Sequence, residues 1–486
     1  MTETIIRVIK ILGKAIDENF TESKVDISAS FLELGLKSFN AFKFIDLVNK
    51  EFKIELEIDI LFEYPVLGDF CQNIDKLTGK DIAQQGQTFE VDQMLEDKER
   101  YLLAVDQLEN KKAAEFIGEK NILITGASGF LGAFSVEQAM KQFDGKVYCL
   151  VRAKDEQEGR ARLQKNFEKY SIDVDIECLE VICGDVTQDN LGVKSDVYEK
   201  LSTSVGYIIH CAAQVDHFAG YGGMRDVNVK GTFEVVKFAA KGIVKNISFA
   251  STIAVSLMSD ANGDFYTFRQ EKSINDGVDI SGAYGKSKWV AEKILERFSE
   301  KTGASIHVFR IGEISGHSQT GAGRFDDIIH NLIHCFTSLA VKVPLEEAVI
   351  NIVPVDFVTK IMVASLSFKS DGVCFINLSH PGPLDINEFL SFWLERELSL
   401  PVSKSSWLDD CRSHIEANKN VYLAGLPVFV ESTKTGARFE MYFSKVDLAY
   451  EKLIEVASQC GVKIPDINKN LISIYKNNYL NSCGFK

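Results

Sequence analysis

The chain has 486 residues, 45% of them hydrophobic and 25% charged, and a formal net charge of −15. That length exceeds what one hydrophobic core supports, so two or three domains are expected. The negative charge argues against non-specific nucleic-acid binding and against an anionic membrane surface as main partner, because both need a basic face.

Ten cysteines are scattered without a Cys-x-x-Cys pair and sit mostly in apolar runs such as VYCLV and IIHCAA, as buried thiols do in a reducing compartment. No apolar run approaches the ~20 residues that span a bilayer. The first residues carry Arg7, Lys10 and Lys14 among the apolar positions, as an amphipathic helix does and a secretory leader does not. A cytoplasmic protein with no membrane partner and no nucleic-acid partner is expected.

In chain order, residues 1–78 form one helical unit. Ile5, Ile6, Ile9, Leu12 and Ile16 repeat at helical spacing, as do Phe42, Ile45, Val48 and Phe52, with Phe31, Leu34 and Gly35 in a loop between. Residues 79–117 read as a polar linker, TGKDIAQQGQTFEVDQ, followed by a short docking helix over 93–108. From 118 to 375, runs of strand length alternate with helical segments: NILIT, VYCLV, LEVICGDV, YIIHCAA, NISFAST, IHVFRI and VCFINLS. Such alternation predicts an α/β fold with a Rossmann-type doubly wound parallel sheet. Residues 376–486 are expected to form a mostly helical cap on the substrate side.

NILITGASGFLG sets Gly126, Gly129 and Gly132 after a strand and at a helix start. Glycines there let backbone N–H groups and the positive helix end approach a pyrophosphate; the alternative is a tight turn with no ligand. Where NAD enzymes usually carry an acidic residue after the second strand, this chain has VYCLVRA, with Arg152 followed by Arg160 and Arg162. Guanidinium groups suit a 2′-phosphate, which favours NADPH, although Arg160 especially has the alternative of coating a solvated helix face.

SGAYGKSKWVAEKI places Tyr284 and Lys288 four residues apart on one helix face, where the ammonium is expected to lower the phenol pKa toward neutrality. The phenol then serves as general acid to a developing oxyanion. SFASTIAV ends a strand with Ser251 and Thr252, either of which is a candidate donor to the same oxygen.

ITGASGFLG, GDVT, FASTIAV and YGKSKWVAE together resemble an extended short-chain dehydrogenase of the thioester-reductase family, and RIGEISGHSQTGAGRFDD, IVPVDFV and the terminal GF extend the match over roughly 118–486. This reductase ends nonribosomal peptide synthetases, polyketide synthases, carboxylic acid reductases and fungal aminoadipate reductases. The resemblance implies Thr252, Tyr284 and Lys288 as the catalytic trio, with Ser251 beside the nicotinamide. It implies Gly126, Ser128, Gly129, Phe130, Leu131 and Gly132 as the pyrophosphate loop and Arg152 with Arg162 as the 2′-phosphate grip. Asp185 and Val186 would line the adenine pocket, and Ala212 would also touch the cofactor. RIGEISG departs from the family's usual Arg-Pro-Gly-Asn at Ile311 and Glu313.

FLELGLKSFNAF and FEYPVLGDF are similar to the carrier domains of the same synthases, over about residues 3–77. The similarity implies a 4′-phosphopantetheine arm on Ser38, installed by a phosphopantetheinyl transferase; the alternative is that Ser38 only caps a helix. Lys37 stands where carriers usually have Asp or His. Together the two resemblances imply that an acyl or peptidyl thioester on the arm meets NADPH on the same chain and leaves as an aldehyde, or after a second reduction as an alcohol. An upstream synthase or acyl-loading enzyme is the expected source of the acyl group. Two other readings stay open: a carrier-tethered epimerase or dehydrogenase acting on another substrate, and a non-catalytic docking module.

Overall fold

The computed structural model describes residues 3–16, 25–27, 29, 31, 34, 36, 38–54, 56, 60–64, 66–77, 85–109, 111–113, 121–215, 220–259, 265–324, 342–343, 348–399 and 446–482. The amino-terminal unit is built from helices α1 (Glu3–Ile16), α2 (Ser38–Phe52), α3 (Ile60–Glu63) and α4 (Leu67–Leu77). Its core joins Val8, Leu12 and Ala15 of α1 to Phe44, Ile45 and Val48 of α2 and Phe70 and Ile74 of α4. The rings of Phe31, Phe44 and Phe70 meet pairwise at 5.1–5.6 Å and form the centre of that core. The inward stripe of α1 runs through Val8 rather than Ile6, which is 45% exposed. Gly35 and Lys37 lie outside the described residues, and Ser38 opens α2.

The docking helix is longer than the spacing suggested. Helix α5 spans Gln85–Asp106 and sinks Met94, Tyr101 and Val105 into the same core as the α/β elements that follow. Asp97, 2% exposed, receives hydrogen bonds from Arg225 Nε at 2.9 Å and from the Tyr221 hydroxyl at 3.1 Å, and Arg225 Nη2 pairs with its other oxygen. Asp97→Ala should remove the buried carboxylate that the Tyr221 hydroxyl and the Arg225 guanidinium share, and cost about 2 kcal/mol. The check is the urea unfolding midpoint, which should fall with an unchanged slope.

The α/β unit then runs β1 (Asn121–Thr125), α6 (Phe130–Gln142), β2 (Val147–Val151), α7 (Glu156–Tyr170), β3 (Glu180–Cys183), α8 (Ser195–Ser204), β4 (Val205–His210), α9 (Tyr221–Arg225), a π-helical turn (Asp226–Lys230), α10 (Gly231–Ala240) and β5 (Asn246–Thr252). A small antiparallel hairpin, β6 (Leu257–Ser259) with β7 (Phe265–Thr267), precedes α11 (Ala283–Thr302) and β8 (Ile306–Ile311). After them come β9 (Glu313–Ser315), β10 (Val349–Ile350), β11 (Ile352–Pro354), α12 (Val355–Ala364), β12 (Val373–Leu378), β13 (Leu384–Asp385), α13 (Ile386–Leu394), α14 (Glu451–Gln459) and α15 (Lys469–Ser482).

All seven strand-length runs enter one parallel sheet of order β12-β8-β5-β4-β1-β2-β3. Period-2 alternation sends neighbouring residues to opposite faces. Leu123, Phe249 and Val308 face α5, α10 and α11, whereas Ile122, Ile124 and Phe309 face α6, α7 and α12. Both faces are covered, which is why these strands read as continuous apolar runs. The third is shorter than the run LEVICGDV: after Gly184, whose N–H still reaches the Val151 carbonyl, the chain turns over Asp185–Gln188. The last strand crosses residue 375, and α14 adds Leu453, Val456 and Ala457 to the core on the α6–α12 face. Part of the carboxyl-terminal segment is therefore core of the α/β unit; residues 400–445, where much of the expected cap falls, lie outside the described residues. No described helix is long and apolar enough to cross a membrane.

Candidate active site

From β1 the chain moves outward to β2 and β3 on one side and to β4, β5, β8 and β12 on the other, so the topology reverses between β1 and β4. In open α/β sheets ligands bind at that crevice, beyond the carboxyl ends of the strands. Thr125, the last residue of β1, bonds His210 Nδ1 at 2.7 Å and accepts the Ala212 N–H at 3.3 Å, and these contacts hold the two strand ends together. His210 is closed off from water, and burial, aided by Lys288, pushes its pKa down to about 3, so the ring is neutral.

The glycine loop fills the mouth of this crevice. Gly126 has φ +70°, and a Cβ there would stand 2.6 Å from the Ala212 backbone nitrogen. A side chain on Gly132 would overlap the Gly126 carbonyl, which is how α6 starts so close beneath the loop. Ser128 and Gly129 are exposed, Phe130 and Leu131 half-buried, and Gly129 precedes the first turn of α6 without any side-chain cap. Backbone N–H groups at an open helix start beside residues that tolerate no side chain fit a dinucleotide pyrophosphate.

Arg152 is exposed just past β2, and Arg162 of α7 donates to the Arg152 carbonyl while pairing with Glu158 at 3.0 Å. The two guanidinium-bearing residues thus meet at the rim. Arg160 does something else. It donates to the carbonyls of Ile176 and Leu179 at 2.7 and 3.3 Å, tying α7 to the turn before β3. Asp185, one turn past β3, accepts both the N–H and the hydroxyl of Thr187 at 2.9 Å, and Val186 is buried against Gly231.

Tyr284 and Lys288 lie on the first turns of α11, and Lys288 is 1% exposed. Its ammonium donates to the Ala250 carbonyl at 2.7 Å and stands 4.5 Å from the centre of the Phe249 ring. Burial pushes the Lys288 pKa down to about 8, against the opposing pull of Cys211 and Glu292. The phenol of Tyr284 behaves opposite to expectation: burial, then the Glu313 carboxylate, raise its pKa above the ordinary value instead of lowering it. Glu313 follows β8 by two residues and sits at the end of the sheet where Thr252 pairs in register with Ile311. It occupies the position where the motif departs from the usual Asn.

Ser251 and Thr252 separate. Thr252 ends β5 and its hydroxyl accepts the Ala254 N–H at 3.2 Å; Gly285, beside Tyr284, packs so tightly on the Ala254 carbonyl that a Cβ would come within 2.7 Å of it. Ser251 faces the other way, and its hydroxyl donates at 2.6 Å to Glu292, a buried carboxylate paired with Arg310. Its hydroxyl is thus committed to the interior rather than offered to an oxyanion. Sequence reasoning did not find this Glu292–Arg310 pair. Nor did it find Asn228 on the π-helical turn, which accepts from the Gln214 N–H at 2.8 Å and donates to Ser287 at 3.0 Å. The spacing Tyr284, Lys288, Glu292 was the available signal for the first. Among the described residues, no cluster of His, Cys, Asp and Glu could hold a metal ion.

Residues 7–74 match the family model of phosphopantetheine attachment sites, and residues 124–362 match an NAD-binding family described as male sterility protein. Among curated proteins, the chain is similar to L-2-aminoadipate reductase of Saccharomyces cerevisiae, 29% identical over 365 residues that cover 69% of this chain and 26% of the relative. The curated relatives matched are longer proteins, of which this chain spans between 8% and 44%. Among solved structures, it superposes on the terminal R domain from the myxalamid PKS-NRPS biosynthetic pathway with a TM-score of 0.70 and 27% identity, covering 81% of this chain and 98% of that one. A thiolation-reductase di-domain from an archaeal non-ribosomal peptide synthetase shares its fold over 100% of this chain and 98% of that one, with a TM-score of 0.65 and 18% identity. The chain thus joins a phosphopantetheine-attachment domain to an NAD-binding oxidoreductase domain that is similar to terminal reductase domains.

Proposed function

We propose that this chain reductively releases an acyl or peptidyl thioester from its own carrier domain as an aldehyde, with NADPH as reductant. One observation carries the reading: a carrier domain shares a chain with a side-chain-intolerant glycine loop at the sheet's switch point and with Tyr284 and Lys288 on α11, whose ammonium is bonded to β5.

When bound, the reduced nicotinamide supplies hydride to the thioester carbonyl carbon. Gly126, Ser128, Gly129, Phe130, Leu131, Gly132 and Ala212 would hold and orient the dinucleotide at the open helix start and by close contact, and Asp185 and Val186 would line its adenine pocket. Arg152 and Arg162 at the rim of β2 select a 2′-phosphate. Tyr284 keeps its proton through neutral pH, because its pKa is raised, and gives it to the carbonyl oxygen as negative charge develops there. Thr252 donates a second hydrogen bond to that oxygen, and Lys288 supplies a fixed positive charge behind both. Ser38, at the amino end of α2, carries the phosphopantetheine arm, placed there by a phosphopantetheinyl transferase and acylated by an upstream synthase. The resulting hemithioacetal gives up its hydroxyl proton as the carbon–sulfur bond breaks; the proton passes to the leaving sulfur, so the pantetheine thiol stays on Ser38, the aldehyde departs and Tyr284 regains a proton from solvent.

The experiment is mass spectrometry of pantetheinylated, acyl-loaded protein before and after NADPH. The expected result is loss of the acyl mass with one NADPH oxidised per aldehyde; retained acyl mass after prolonged incubation refutes the proposal. NADH in place of NADPH should give a kcat/KM lower by about tenfold or more, and Arg152→Ala should remove most of that preference.

A further inference from the structure

Behind the crevice, three consecutive residues of β5 each hold a different partner. The Ala250 carbonyl holds the Lys288 ammonium at 2.7 Å, the Ser251 hydroxyl holds Glu292 Oε1 at 2.6 Å, and Thr252 caps the turn that touches Gly285. On α11, Lys288 and Glu292 are one turn apart, so the helix is clamped to β5 at two successive turns. From β8, Arg310 closes the set, with Nε at 3.2 Å from Glu292 Oε1 and Nη2 at 2.8 Å from Oε2. Glu292 is 2% exposed and Arg310 fully buried, and Arg310 Nη1 has no hydrogen-bond partner among the described residues. An ion pair kept out of water with one donor unmet is a poor way to gain stability, since apolar residues of similar volume do as well or better. Its product is geometry.

We propose that Glu292 is a positioning residue of the reductase: locked by Ser251 and Arg310, its carboxylate sets the register of α11 on β5 and keeps the Lys288 ammonium in place behind Tyr284. The proposal rests on the reading of Lys288 and Tyr284 given above. The charged and titratable groups around Lys288 are Tyr284 and Glu292 on its own helix, His210 of β4 with Cys211 just after it, and Arg310 from β8 on the far side of Glu292. His210 is neutral, and burial raises the Cys211 thiol to about 11, so it too is neutral near pH 7. Glu292 is therefore the carboxylate that favours the charged form of Lys288. Removing its charge lowers the Lys288 pKa, and activity that needs the ammonium is lost at a lower pH.

The test follows Lys288 directly by NMR of 13C-labelled lysine in the full chain, alongside NADPH oxidation with an acyl-loaded carrier. In the wild-type protein the Lys288 signal should titrate near pH 8. In Glu292→Gln the midpoint should fall by about one pH unit, and the alkaline limb of the kcat profile should move down with it, with KM for NADPH within about twofold. Glu292→Asp keeps the charge and the fold but reaches less far. It should leave the Lys288 midpoint near the wild-type value yet lower kcat about three- to tenfold. A folded Glu292→Gln with an unmoved midpoint and profile overturns the proposal, as does Glu292→Asp with wild-type kcat. A wild-type protein that oxidises no NADPH refutes the functional reading instead, and the NMR titration still decides the part played by Glu292.

Discussion

Tyr284→Phe is expected to lower the rate of NADPH-dependent release by about a hundred- to ten-thousand-fold, the range lost when a positioned proton donor is removed. The ring is retained, so helix α11 and its packing should survive; only the hydroxyl goes. The structure makes the loss specific to a proton. Burial and the Glu313 carboxylate both favour the protonated phenol, so the side chain holds a proton to give throughout the neutral range. The same environment predicts the pH behaviour. The limb that shuts activity off on the alkaline side should reflect Lys288, whose burial places it near 8, rather than Tyr284. The measurement is single-turnover loss of acyl mass from the loaded carrier, with NADPH binding followed separately by fluorescence. Binding should be retained in the variant; near-wild-type turnover would remove Tyr284 from the chemistry.

The second large effect is all-or-none. Ser38→Ala should leave the protein without any phosphopantetheine mass after treatment with a phosphopantetheinyl transferase and coenzyme A, where the wild-type chain gains one. Alanine keeps helical propensity at the first residue of α2, so the helix and its buried Phe44, Ile45 and Val48 should persist. The amino end of a helix offers free N–H groups and positive potential, which accommodate a phosphodiester. The reductase crevice of the variant should still act on a free pantetheine thioester. Its rate should be lower by the effective concentration that tethering provides, on the order of a hundredfold at micromolar substrate. A variant that is still pantetheinylated would move the attachment site elsewhere.

Much of the fold could be read before any coordinates. NILIT, VYCLV, YIIH, NISFAST, IHVFRI and VCFINL are apolar on both faces because each lies inside a sheet covered by helices on both sides, and that burial is written into composition alone. The glycine triplet was readable for a similar local reason: Gly126 needs a positive φ and Gly132 a missing side chain, and both demands fall on residue type. What remained hidden depended on which way a side chain points after long-range packing. Ser251 and Thr252 are neighbours with similar hydroxyls, yet strand alternation and the placement of α11 turn one into a buried carboxylate and leave the other at the crevice. The direction of the Tyr284 shift was also out of reach. Lys288, four residues away on the same helix, spends its ammonium on Ala250 of a strand about forty residues earlier, while Glu313, about thirty residues later, faces the phenol. Local spacing sets which residues share a helix face; the pairing of their charges is settled only when β5, β8 and α11 come together, because electrostatic partners are chosen by distance in space and by the low dielectric of the packed interior.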